Sequence, residues 1–247
     1  MLLLETKEGR TRRVPCGACM ACRINRRETW ARRLLDEYEH ADKAVFVTMT
    51  YDDDNLPDPP SVSVYEAQTY IKRLRKAIEP RTLRYYISGE YGEEKDRPHY
   101  HAILFGLGKE DYDVMYDNWA MCVKDEFVVG DVNPTTCNYT AGYIVDKLTG
   151  KFAEYYTQRN IAPPFSIMSR YPIIGIETAK KYMDNHIDRA IAGKDVMPRA
   201  YRNQMTTAQR ARYELNIIKP ARLESEESIS QRERDILTKI QIKRRKL

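Results

Sequence analysis

Histidine is scarce in this chain, with four in 247 residues. Tryptophan (two) and phenylalanine (five) are scarce as well, against 18 tyrosines. No apolar run approaches the roughly 18 residues needed to cross a bilayer, so no membrane partner is expected. The start, MLLLETKEGRTRR, offers three consecutive leucines before charge arrives. That is too short for the apolar region of a secretory signal, and the basic residues follow it instead of preceding it. A cytosolic setting is expected. The GxxxxGK[S/T] loop that cradles nucleotide phosphates is missing, so no ATP-driven step is expected. Cysteines number five. An odd count without a secretory signal argues against a disulfide framework.

What is present is ordinary for a globular protein: 42% hydrophobic and 31% charged residues. The length suits one domain with appendages or two small domains. A net charge of +5 and a pI near 8.8 permit a polyanionic partner without demanding one. The cations are clustered at Arg23, Arg26, Arg27, Arg32 and Arg33, at Lys72, Arg73, Arg75 and Lys76, and at Lys243, Arg244, Arg245 and Lys246. Each cluster serves equally well as a solvated helix face. Arg23, Arg26, Arg27, Lys72 and Arg73 are the candidates for nucleic-acid phosphates.

Periodicity predicts a helix over 23–39, where Ile24, Trp30, Ala31, Leu34, Leu35 and Tyr38 recur near every 3.6 residues. AVFVTMTY (44–51) reads as a buried strand, and DDDNLPDPP forces a loop. Ser63 and Glu66 form a capping box for a helix over 64–78. LRYYISGE (83–90) and HYHAILFG (99–106) read as strands joined by a loop. FVVGDV (127–132) suggests another strand, residues 137–148 a short helix and 177–192 a longer one; the last 25 or so residues read as a charged helix or tail. The order implies an α/β (α+β) fold with an antiparallel sheet, either ferredoxin-like or an RNA-recognition-like sandwich. A Cys-rich helical element precedes it and a helical extension follows.

Two of the four histidines are His99 and His101. On a strand, residues two apart share a face, so both imidazoles project together and Tyr100 points away. Such a pair can simply cap a sheet edge. Glu90, however, closes the preceding strand, and a hairpin sets its carboxylate beside the histidines. Two nitrogens and one oxygen with open positions suit Mg²⁺ or Mn²⁺ bound together with a phosphate; Zn²⁺ fits the same ligands. In CNYTAGYIVDK, Tyr139 and Tyr143 are four apart, with Lys147 four further on, all on one helix face. A phenol needs such cationic help to act as a nucleophile at neutral pH. Tyr112 and Tyr116 repeat the spacing, so the pair alone decides nothing. Cys16, Cys19 and Cys22 form CxxCxxC, a spacing that wraps one structural Zn²⁺ with a fourth ligand from Cys122, Cys137 or a histidine. An iron–sulfur cluster is the alternative.

Taken together, these residues resemble a known group. His99-Tyr100-His101 resembles the HUH motif (His, a bulky residue, His) of rolling-circle initiators and relaxases. The chain is similar to the replication initiators of gokushovirus-type Microviridae over most of 14–205. The shared blocks are PCGACMACRINRRETWARRLLDE, FVTMTYDDDNLP, YIKRLRK, ISGEYGEEKDRPHYHAILFG, YTAGYIVDK and FSIMSRYPIIGIE. The resemblance implies an HUH/Rep fold whose endonuclease core spans 41–150. An N-terminal Cys cluster and basic helix (1–40) come before it, the rest of the catalytic domain (151–205) and a charged tail (206–247) after it. It implies a metal at His99, His101 and Glu90, and Tyr139 and Tyr143 as alternating nucleophiles that nick and rejoin single-stranded DNA through a 5′-phosphotyrosine. It further implies origin DNA, host polymerase and helicase as partners in a bacterial cytoplasm. One departure bears on Lys147: relatives carry additional lysines around the second tyrosine, whereas here Gly142 and Asp146 flank it. A transposase or plasmid relaxase shares the chemistry. A non-catalytic module that stacks bases on Tyr85, Tyr86 and Tyr91 does not.

Overall fold

The computed structural model describes residues 2–5, 11–14, 16–17, 20–92, 96–146 and 151–217. Strands β1 (Leu2–Glu5) and β2 (Thr11–Val14) form a small antiparallel ribbon. Helix α1 (Met20–His40) leads into β3 (Ala44–Met49), α2 (Val64–Ala77), β4 (Arg84–Tyr91) and β5 (Pro98–Phe105). Next come α3 (Tyr112–Trp119), β6 (Val128–Asp131), α4 (Pro134–Asp146), α5 (Lys151–Gln158) and β7 (Phe165–Met168). Helices α6 (Ile176–Lys181), α7 (Met183–Ile191), α8 (Arg199–Arg202) and α9 (Thr207–Ile217) complete the described chain.

The main sheet is five-stranded and antiparallel, in the order β6-β3-β5-β4-β7. The histidine strand β5 is therefore central, with both edges paired. Its alternating side chains feed two separate cores. Tyr100, Ala102 and Leu104 join Val45, Val47 and Met49 of β3 beneath Tyr70, Ile71 and Leu74 of α2 and Trp119 of α3. On the other face, Ile103 and Phe105 meet Ala31 and Leu34 of α1 and Cys137 and Ala141 of α4. Helices thus cover both faces, and the α+β class expected from the sequence holds.

Local chemistry explains the elements beside the site. Ser63 caps α2, its hydroxyl accepting from the Glu66 amide at 3.2 Å. Only half of the expected capping box forms, because the Glu66 carboxylate instead accepts from the Tyr51 hydroxyl. Tyr51 in turn bonds Tyr100 at 2.7 Å, and the Ser63 amide donates to Tyr100 at 2.8 Å. The residue between the two histidines therefore locks the cap of α2 on the opposite face. Helix α4 starts earlier than the sequence suggests. Asn133 caps it by accepting from the Thr135 and Thr136 amides at 2.8 and 3.0 Å, and Pro134 takes the first turn, where no amide donor is missed. The helix expected over 177–192 is two helices, α6 and α7, meeting at Tyr182. These helices and α8 build a third core of Ile176, Ala179, Met183, Ile187 and Tyr201. A buried polar seam joins it to α1: Tyr201 donates to Asp36 at 2.7 Å, Thr178 to the Asp36 carbonyl at 2.6 Å, and the Gly175 amide to Glu37 at 2.6 Å.

Candidate active site

Antiparallel pairing sets Glu90 of β4 directly opposite His99, and Ser88 and Thr48 opposite His101. The three predicted ligands are consequently brought together. Glu90 Oε1 lies 2.7 Å from His99 Nε2 and 2.9 Å from His101 Nε2. One donor atom from each of the three lies within 4.8 Å of the others, the one such grouping of His, Cys, Asp or Glu among the described residues.

The outer nitrogens are held as a metal site requires. His99 Nδ1 donates to the Arg97 carbonyl at 3.1 Å, an oxygen that can only accept. His101 Nδ1 meets the Thr48 hydroxyl at 3.0 Å. Each bond directs the Nε2 lone pair inward and fixes the ring plane. Burial pushes His101 below the usual imidazole range, outweighing the adjacent Glu90 carboxylate, so the ring stays neutral and ligand-ready. Glu90 is 1% exposed, and its second oxygen is buried without a hydrogen-bond partner among the described residues. An uncompensated buried carboxylate costs several kcal/mol. A divalent cation at this point removes that cost, so the donor set fits the metal expected from the sequence.

Tyr139 reaches the same spot from α4. Its hydroxyl lies 3.3 Å from His101 Nε2, the nitrogen that faces Glu90, and its ring packs edge-on against the His101 ring at 4.8 Å. Phe46 of β3 stacks on the far side of His101 at 5.6 Å and steadies both rings. Tyr139 remains 45% exposed, open to a substrate from solvent. Tyr143 follows one turn later on α4; its side chain lies outside the described residues, as do Lys147 and Cys19. Tyr112 and Tyr116, with the same spacing, are structural: both hydroxyls donate to backbone carbonyls and the rings stack at 6.3 Å.

The basic clusters separate. Arg23, Arg26 and Arg27 sit on α1, the helix that packs along α4 on the site face. Lys72 and Arg73 are exposed on α2, across the sheet. Arg32 and Arg33 hold the fold: Arg32 pairs with Asp36 at 3.9 Å, and Arg33 donates to the Ile174 carbonyl at 3.1 Å over the Trp30 ring. Cys16 and Cys22 approach to 3.8 Å between sulfurs. Cys122 and Cys137 do not join them. Cys122 is packed in the α2-side core and Cys137 in the α1-side core, where burial pushes the Cys137 thiol up to about 12. The base-stacking platform is also overturned, because Tyr86 and Tyr91 are 0% and 4% exposed and belong to the cores. Thr48 escaped the sequence reading. Its signal was a lone hydroxyl in the buried run AVFVTMTY, on the strand face that carries no aliphatic partner.

The fold and site together define an α+β domain with a two-histidine, one-carboxylate pocket on its central strand and a tyrosine helix beside it. Residues 44–151, which run from β3 through α4, match the family model of Replication-associated protein ORF2 and the gene 2 protein. The chain is similar to Replication-associated protein ORF2 of Spiroplasma virus 4, at 32% identity over 155 residues, 55% of this chain and 48% of that protein. It is also similar to Replication-associated protein VP4 of Bdellovibrio phage phiMH2K, at 27% identity over 194 residues, 71% of this chain and 60% of that protein. A shorter match, 31% over 98 residues, is to Replication-associated protein ORF4 of Chlamydia phage 1, covering 38% of this chain and 24% of that protein. The resemblance to replication proteins of Microviridae-type phages is thereby shown. The matches span about half the length of the first two relatives, 48% and 60%. No solved structure matches. Among the described residues, no helix is long and apolar enough to cross a membrane.

Proposed function

We propose that the chain initiates rolling-circle replication by nicking and rejoining single-stranded origin DNA through a 5′-phosphotyrosine. The observation that carries this reading is the Tyr139 hydroxyl 3.3 Å from His101 Nε2, inside a buried Glu90-His99-His101 triad. Mg²⁺ or Mn²⁺ held by that triad supplies Lewis-acid polarisation of the scissile phosphate and a template for it. The remaining chemistry belongs to the chain. Tyr139 loses its proton, its oxygen bonds to phosphorus, and the P–O3′ bond breaks. The 3′ oxygen leaves with a proton as a free 3′-OH for a host polymerase. Tyr143, one turn along the same helix, takes the second cleavage, and the released 3′-OH then attacks the first phosphotyrosine to close a circle. Each step exchanges one phosphodiester for another, so no nucleotide hydrolysis is required.

Arg23, Arg26 and Arg27 on the site face are the phosphate contacts nearest the chemistry under this reading, with Lys72 and Arg73 serving DNA that passes across the sheet. Cys16 and Cys22 support a structural Zn²⁺ with Cys19. Their sulfurs are too far apart for a disulfide, which needs about 2.05 Å. They match the roughly 3.8 Å that two thiolates subtend around a tetrahedral zinc with bonds of about 2.3 Å. Elemental analysis showing neither zinc nor iron in purified protein removes that element of the proposal.

The test of the main reading is incubation with a circular single strand bearing the phage origin and Mn²⁺. A covalent protein–DNA adduct on a denaturing gel, abolished by EDTA, is the expected result. No adduct with any divalent metal overturns it.

A further inference from the structure

Arg27 stands out among the described α1 arginines. Its Nε is buried and has no hydrogen-bond partner among the described residues. Further along the helix, Arg32 has Asp36 and Asp195, and Arg33 has a backbone carbonyl and the Trp30 ring. A guanidinium carries five donors and a permanent charge, and burying part of it unpaired is costly. The missing partner is therefore anionic and external to the described protein.

The location says which anion. The Arg27 side chain crosses α4 at Gly142: a β-carbon there would stand 3.4 Å from Arg27 Cδ. Gly142 lies between Tyr139 and Tyr143, three residues after the first and one before the second. Helix neighbours at that spacing have β-carbons about 5–6 Å apart. Helix α4 runs unbroken from Pro134 to Asp146, so Gly142 is no hinge in it. The glycine costs the helix about 1 kcal/mol relative to alanine, and in exchange α1 delivers its arginine close to the tyrosine face. On the other side of Tyr139 stands the Glu90-His99-His101 triad.

We propose that Arg27 is the cationic clamp on the scissile phosphate, and afterwards on the phosphotyrosine, opposite the metal triad. The proposal rests on the nick-and-join reading above. The in-line transition state spreads negative charge over the non-bridging phosphate oxygens. A fork-shaped guanidinium meets two of them at once, which an ammonium does not. It also gives the N-terminal basic helix a chemical role: α1 carries a charge that neither the sheet nor α4 provides at this place.

The experiment is single-turnover adduct formation on an origin oligonucleotide with Mn²⁺, comparing wild type with Arg27→Gln and Arg27→Lys. Removing one preorganised donor to a developing anion costs about 100-fold or more in rate. Arg27→Gln is expected to fall by about that factor at saturating DNA, with Mn²⁺ affinity and melting temperature near wild type. Arg27→Lys is expected to recover part of the rate, and added guanidinium ion to rescue Arg27→Gln in part. An Arg27→Gln rate within about threefold of wild type overturns the clamp, as does a defect that saturating DNA repairs, since that marks an ordinary backbone contact. Wild type that forms no adduct overturns the nick-and-join reading itself and the clamp with it.

Discussion

Replacing Thr48 by Val separates metal binding from folding. The hydroxyl holds His101 Nδ1 at 3.0 Å, and His101 Nε2 faces Glu90 at 2.9 Å. Valine keeps the shape and β-branching on β3, so the strand and its pairing to β5 persist. Without metal, the imidazole moves its proton to Nε2 and donates to Glu90, leaving nothing buried and unpaired. Urea unfolding in EDTA is therefore expected to change by less than about 1 kcal/mol. With metal, Nε2 must give up that proton, and Nδ1–H faces a methyl group. An unsatisfied buried donor costs about 1–3 kcal/mol, and about 1.4 kcal/mol is a factor of ten in affinity. Mn²⁺ affinity is expected to drop about 10- to 100-fold, the range usual for lost outer-shell partners. Thr48→Ser, which keeps the hydroxyl, remains within a few-fold of wild type. Isothermal titration with Mn²⁺ measures all three proteins. Wild-type affinity in Thr48→Val refutes the reasoning, because His101 would then need no orienting bond.

Three further outcomes follow from the described contacts. Burial raises Asp36 to about 6 and lowers His186 to about 4, and the two lie 3.6 Å apart. Between about pH 4 and 6 the raised carboxyl makes the folded state the better proton binder, so Asp36 favours folding on acidification; the lowered imidazole does the reverse. The two slopes nearly cancel in the wild type. Asp36→Asn leaves His186 unopposed and should steepen the acid loss of stability in urea titrations by on the order of 2–3 kcal/mol, while His186→Gln should flatten it; equal slopes in all three proteins would exclude this pairing. Gly175→Ala is expected to cost roughly 2–4 kcal/mol. Its φ is +76°, and a β-carbon would meet the Tyr201 hydroxyl at 2.3 Å and the Arg33 carbonyl at 2.6 Å; a melt within about 0.5 kcal/mol of wild type would contradict that packing. Gly89→Ala on β4 would thrust a methyl within 2.7 Å of the Phe165 ring. Displacing β7 this way should cost about 1–3 kcal/mol, read by the same denaturation assay.

Much of the site was legible because strand periodicity and hairpin order are local properties. His99 and His101 share a face by alternation alone, and one hairpin brings Glu90 opposite His99. The central strands and α1, α2 and α4 followed from their own patterns. Other elements lacked such a signal. Strand β7 is a four-residue edge whose burial comes entirely from Gly89 and Tyr100 of other strands. Helix α3 is short, and its anchor, Trp119, is fixed by Tyr51, Tyr70 and Tyr100, partners remote in sequence. Thr48 and the unpaired Nε of Arg27 depend on register and helix packing across the chain, which no local window contains.

The central claim is that Tyr139, in contact with His101, is the first nucleophile. The direct measurement is mass spectrometry of the tryptic peptide left on DNA after one turnover with Mn²⁺. A 5′-phosphotyrosine on Tyr139 in wild type, and no adduct above background in Tyr139→Phe at early times, is the predicted result. Attachment at a residue outside α4, or an undiminished initial rate in Tyr139→Phe, contradicts it.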